Sequence, residues 1–213
     1  MRASHRVLTG ILSLAALFGG ASTIAAQAPN SGTVLHVSPY VGYMVFGDYI
    51  KGPIGTSLTN APGPIYGTQV GLSLAPNLSL VGNIGYTASD MQIGVPFLGG
   101  ISVGHSSMLL YDADLEYNLG SSKAGGLPFS PFVQGGAGAV HYTIDESILT
   151  THATNFAANV GAGADVTVSK GIALRLLAKD YIGQFNFKDA TGLNLSGQTA
   201  NNFAFSAGLR FDF

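Results

Sequence analysis

Cysteine and tryptophan are both absent from the 213 residues, and charge is scarce. Asp, Glu, Lys and Arg together make up 9% of the chain, where soluble domains carry about 25%. Without cysteine there is no disulfide framework, no lipid-anchoring thiol and no thiolate metal site. The shortage of charge excludes more, because a surface covered by water would be poorly supplied with solvating groups. Beyond residue 26 no apolar run approaches the ~20 residues of a spanning helix. The formal net charge of −2 falls to roughly −4 once Arg2 and Arg6 are set aside, which argues against nucleic acid as a partner.

What the chain does contain is 46% hydrophobic residues, 30 glycines and a mean hydropathy of +0.34. A chain can be hydrophobic outside, without spanning helices, as a closed β-barrel in a membrane. The amino terminus agrees. Arg2, His5 and Arg6 precede an apolar stretch from Val7 to Phe18 and a small-residue segment, Gly19 to Ala28. This is the pattern of a secretory signal peptide, expected to span 1–26 with cleavage near Ala26, leaving a barrel domain over 27–213.

Side chains alternate between the two faces of a strand, and eight segments of the sequence alternate accordingly. They are Leu35–Val45, Tyr66–Leu74, Leu78–Thr87, Leu109–Leu119, Pro131–Tyr142, Asn155–Val168, Ile172–Ile182 and Asn202–Phe213. The fourth is the cleanest, setting Leu109, Tyr111, Ala113, Leu115, Tyr117 and Leu119 against Asp112, Asp114, Glu116 and Asn118, with Leu110 alone breaking the polar face. The fifth is so rich in glycine that its facing is ambiguous. The expected fold is all-β, an eight-stranded antiparallel up-and-down transmembrane barrel. Connections of about three residues at Ala75-Pro76-Asn77 and Ser169-Lys170-Gly171 contrast with long ones near Gly47 to Pro64, Ser89 to Ser106, Thr143 to Ala153 and Gln184 to Asn201. Short periplasmic turns and long extracellular loops are usual in outer-membrane barrels.

A soluble barrel with its apolar face inward would alternate in the same way. The scarcity of charge, the aromatic residues near strand ends and the terminal Phe213 favour apolar outward. Parity then places Asp112, Asp114, Glu116, Asp165, Arg175, Lys179 and Arg210 inside as a polar network. Glu116, Asp165, Arg175 and Arg210 are expected in one layer near the periplasmic end, cross-paired and plugging the lumen.

The leader, Pro39-Tyr40-Val41-Gly42, Gly161-Ala162-Gly163, Leu174-Arg175-Leu176 and the final Leu209-Arg210-Phe211-Asp212-Phe213 together resemble the OmpA/OmpW-like family of small outer-membrane β-barrel proteins. That resemblance implies the cell outer membrane, with outer-membrane lipids and the barrel-assembly machinery as partners, and Leu209, Phe211 and Phe213 as the assembly signal. It implies a structural or narrow-pore, porin-like protein with loops free for an extracellular ligand. The alternatives are a channel for small hydrophobic molecules, an adhesin, or a lipid A-modifying enzyme.

A catalytic or metal reading has two candidate sets. One is His141 and His152 with Asp145, Glu146 and Ser147; the other is His105-Ser106-Ser107. Imidazole and carboxylate are suitable ligands, but no spacing repeats a metal motif, and two equal competitors weaken each other. Solvated loop residues are the expectation, with no enzyme activity, no metal and no cofactor.

Overall fold

The computed structural model describes residues 34–47, 50–51, 57–95, 99–124, 127–145, 150–184 and 199–213; the leader and its expected cleavage point lie outside these. The alternating segments form strands. In chain order they are β1 (Leu35–Val45), β2 (Ile50–Lys51), β3 (Ser57–Asn60), β4 (Gly63–Ala75), β5 (Leu78–Val95), β6 (Gly99–Asn118), β7 (Ser122–Ala124), β8 (Leu127–Asp145), β9 (Thr150–Ser169), β10 (Ile172–Gln184) and β11 (Thr199–Asp212). Eight of them pair antiparallel in a ring, β1–β4–β5–β6–β8–β9–β10–β11, and β11 closes on β1 with Phe211 opposite Val37 and Phe203 opposite Val45. Closure is what removes the unpaired edges that lipid cannot solvate.

The faces sort by polarity in the direction a membrane requires. Val41, Tyr43, Tyr66, Val70, Leu80, Ile84, Leu115, Val160, Leu176 and Phe205 are exposed on the outer wall, while Gln69, Asn83, Glu116, Gln134, Asn159 and Arg175 are buried inside. The tight turns are at Pro76-Asn77 and Lys170-Gly171, and Gly171 has φ +74°, a left-handed conformation that glycine adopts without steric cost.

Three expected boundaries move. The connection anticipated over Ser89 to Ser106 is mostly strand, because β5 and β6 continue pairing as far as Val95 opposite Gly99. Here Ile93-Gly94-Val95 and Gly100-Ile101-Ser102-Val103 alternate over too few residues to mark a strand, which their β-branched residues nevertheless support. The stretch expected as the first loop holds β2 and β3, with β3 pairing against the extension of β5. The third loop shortens, since β8 runs to Asp145 and β9 begins at Thr150.

The ambiguous fifth segment, now β8, turns Phe132, Gln134, Val140 and Tyr142 inward and Val133 outward. Glycines make room where inward side chains are large. The Tyr40 hydroxyl lies against Gly67 and Gly85, and a Cβ at Gly85 would stand 2.6 Å from that oxygen with no backbone atom as close. Gly85→Ala is therefore expected to destabilise the barrel by ~1–3 kcal/mol. Removing the hydroxyl with Tyr40→Phe in the same chain should recover part of the loss, as measured by urea unfolding in micelles.

Candidate functional site in the barrel lumen

The inward charges come from four strands, β6, β9, β10 and β11, and meet in two stacked networks. The lower one centres on Arg175 of β10. Its Nε donates to Asp165 Oδ1 at 2.8 Å and its Nη2 to Asp165 Oδ2 at 2.8 Å and Glu116 Oε1 at 3.1 Å. Nη1 donates to Glu116 Oε2 at 2.9 Å and to Gln69 Oε1 at 3.2 Å. A guanidinium has five N–H donors, and all five are occupied here.

Around this centre, Gln134 Nε2 donates to Glu116 Oε2 at 2.7 Å. Arg210 Nη1 reaches Asp165 Oδ2 at 2.9 Å and lies 3.7 Å from Glu116 Oε1, while its Nε donates to Asp212. The Phe132 ring stacks under the Arg175 guanidinium, its centroid 4.3 Å from Cζ, a cation–π contact made stronger by desolvation. Gly163 permits it, because a Cβ there would run into that ring and the Leu176 carbonyl.

The upper network centres on Lys179, two turns of the pleat further along β10. Its Nζ donates to Asp112 Oδ1 and Asp114 Oδ2, both at 2.5 Å. Asp112 also accepts from Asn83 Nδ2 at 2.8 Å; Asn83 in turn donates to Tyr181 Oη at 3.2 Å and accepts from Tyr40 Oη at 3.0 Å. Arg175 and Lys179 are each 3% exposed and Asp114 only 1%, so these pairs are shielded from both solvent and salt.

Above the second network the lumen holds an apolar cluster, with the buried polar Thr87 opposite both Ile65 and Met108. Met44, Phe46, Ile65, Met108, Leu110, Val140, Tyr142 and Tyr181 belong to one buried cluster, with the half-buried Tyr40 packed against it. Leu110, an exception to a polar face in the sequence, is a member of this layer. Sequence parity gave no warning of Gln69, Gln134, Asn83, Tyr40 or Tyr181 as partners in the networks, although each lies on the inward face of its segment. His36, fully buried near the start of β1, packs its ring against Gly71.

Among the described residues, His105 and His141 of these sets stand on the outer wall. His105 pairs with Asp90 at 2.5 Å on the outer face, its side chain 85% exposed, while the adjacent Ser106 points inward, is buried and meets Asn60. Neighbouring strand positions face opposite sides, so His105 and Ser106 cannot act on one substrate. His141 shares a 2.7 Å hydrogen bond with Thr154 on the outer wall. Glu146 and Ser147 lie outside the described residues. So do the side chains of Asp145 and His152, whose backbones pair opposite Thr150 and Thr143.

Over residues 12–211 the sequence matches the outer membrane protein beta-barrel domain. The chain belongs to this family. It is a protein of the cell outer membrane, and the family's fold is the one described above. No curated protein matches its sequence. Among solved structures it is similar to Neisserial surface protein A, at 13% identity and a TM-score of 0.60, covering 86% of this chain and 100% of that one. The N-terminal β-barrel domain of Pseudomonas aeruginosa OprF gives 17% identity, a TM-score of 0.51 and coverage of 84% and 97%. OprG of the same organism gives 11%, 0.56 and coverage of 86% and 96%. Likeness at these identities speaks for the barrel alone.

Proposed function

We propose that the protein is a structural outer-membrane barrel, closed to diffusion at rest, that carries its extended strands and long connections on the extracellular side for contact with ligands or other surfaces. The observation that carries this reading is the fully hydrogen-bonded Arg175 guanidinium spanning the lumen between Glu116, Asp165 and Gln69. Eight strands leave an interior about as wide as side chains can fill, and an Arg layer, a Lys layer and an apolar layer in succession fill it. Purified protein in a planar bilayer is expected to show no resolved conductance steps. Steady steps from the wild-type chain would overturn the closed reading in favour of a narrow pore.

Leu209, Phe211 and Phe213 are proposed as the signal read by the assembly machinery. Leu209 and Phe213 are exposed on the lipid-facing side, and the Phe213 amide is tied to the Leu35 carbonyl at 2.8 Å. Phe213→Asp is expected to lower the yield of heat-modifiable folded barrel several-fold, since it removes the terminal aromatic of the proposed signal and puts a carboxylate on the lipid-facing side. Unchanged yield would remove the proposed signal.

A further inference from the structure

The two histidine sets that compete in the sequence are neighbours in the folded wall. The ladder places Asp90 of β5 opposite His105 of β6, His105 opposite Asp145 of β8, and Asp145 opposite Thr150 of β9, so these positions share one row. The next row toward the middle of the ring holds Ala88, Ser107, Thr143 and His152, and the one after it Tyr86, Leu109, His141 and Thr154. Paired positions share a face of the sheet, and His105, Leu109 and Thr154 are exposed on the outer one. Of the four histidines beyond residue 26, three therefore fall on the outer face of β6, β8 and β9 within three rows. A chain with only 9% charged residues places Asp90 and Asp145 in the same patch.

One part of this patch is already oriented. His105 Nδ1 lies 2.5 Å from Asp90 Oδ1. A ring nitrogen directed at a carboxylate carries the proton, which leaves the lone pair on Nε2. The two nitrogens sit on opposite sides of the imidazole, so with Nδ1 turned to β5, Nε2 is turned away from it, to the side on which β8 carries Asp145. A carboxylate on the second nitrogen is the usual companion of a metal-bound histidine, because it fixes the tautomer and the ring. Among the described side chains no three ligating groups stand together; Asp145 and His152 are placed by backbone register. Directly opposite positions stand ~5 Å apart and diagonal ones ~7–8 Å, which puts Asp145 beside His105 and His152 diagonal to Asp145.

We propose that His105, Asp145 and His152 form a binding site on the outer wall for a divalent transition-metal ion of the zinc class, with His105 ligating through Nε2 and Asp90 orienting its ring. Two imidazoles and a carboxylate are a zinc donor set that leaves a fourth position for water, whereas calcium and magnesium take oxygen ligands. The three ligands come from three strands, which is why no spacing in the sequence repeats a metal motif. The proposal departs from the expectation that these residues are only solvated. It also goes beyond the contact role given above, because the site belongs to the wall and does not depend on whether the lumen is closed.

The test is calorimetric titration with Zn²⁺ of the purified barrel in micelles, produced without a histidine tag. Saturable binding of one ion per chain is expected. His105→Ala, Asp145→Ala and His152→Ala should each weaken it more than about tenfold, and Asp90→Asn about tenfold, with Asp90→Glu restoring most of that loss. All four positions are on the outer face, so the heat-modifiable folded fraction should stay the same. His141→Gln, nearer the middle of the ring at a position hydrogen-bonded to Thr154, should bind as the wild type does. No saturable binding by the wild-type barrel would overturn the proposal, as would undiminished affinity in His105→Ala or Asp145→Ala. Loss in His141→Gln alone would place the ion elsewhere on the wall and overturn it as well.

Discussion

Replacing Arg175 by leucine is expected to cost ~3–5 kcal/mol of barrel stability, the range seen when one partner of a buried ion pair is removed. The loss arises less from the missing attraction than from what remains. Glu116 and Asp165 lose their shared partner at the centre of the lumen, and Arg210 is left as the nearest cation, 3.7 Å from Glu116 and 2.9 Å from Asp165. If that account is right, truncating an acid as well should relieve part of the damage. Arg175→Leu, Glu116→Leu and the double variant, unfolded with urea in micelles, should therefore give a coupled, sub-additive set. Small independent effects would mean that water fills the space and the charges line a hydrated channel.

Lys179→Met should be comparably harmful, at ~3–5 kcal/mol, for a different reason. Asp112 and Asp114 are two positions apart on the same face of β6 and share one ammonium. Without it two carboxylates face each other in a site already closed off by Tyr40, Asn83 and Tyr181. Adding Asp114→Asn to Lys179→Met removes one of the two charges and should recover a substantial part of the stability. Asp112 keeps its hydrogen bond from Asn83 in that variant. A double variant no more stable than the single one would show that packing around the lysine stem, rather than charge, is what Lys179 contributes.

How much of this was legible in the sequence depended on whether a feature is local or requires knowing which strands stand side by side. The first strand is local: Leu35–Val45 was readable to its ends, since every second residue from Leu35 is apolar apart from Pro39. The inward facing of Asp112, Asp114, Glu116, Asp165, Arg175, Lys179 and Arg210 is likewise a matter of parity within one strand. Their choice of partners is not. Lys179 meets Asp112 and Asp114 because of the stagger with which β10 and β6 lie across the lumen, and that stagger comes from the closed ring rather than from either segment. The same limit hid the apolar layer. Leu110 stands in register with Gly85 on one side and Val140 on the other, and only that register turns an apparent exception into part of a lining. In β8 the glycines at 135, 136 and 138 carry no side chain to mark a face, and in the extensions of β5 and β6 the alternating stretches are too short, so alternation failed in each for its own reason.

The seam at which β11 pairs with β1 joins the last strand to the first, and it gives the barrel a property that an open sheet lacks. Peeling any one strand from the ring exposes two edges at once, each lined with amide and carbonyl groups that hydrocarbon cannot satisfy. Partial openings are therefore costly wherever they start, and the eight ring strands should lose their protection against hydrogen exchange together rather than fray from one side. The extension of β5 and β6 beyond the ring lies outside that constraint. Its amides should exchange early, and the contrast along a single strand, slow below Thr87 and fast above Met91, would mark where the ring's cooperativity stops.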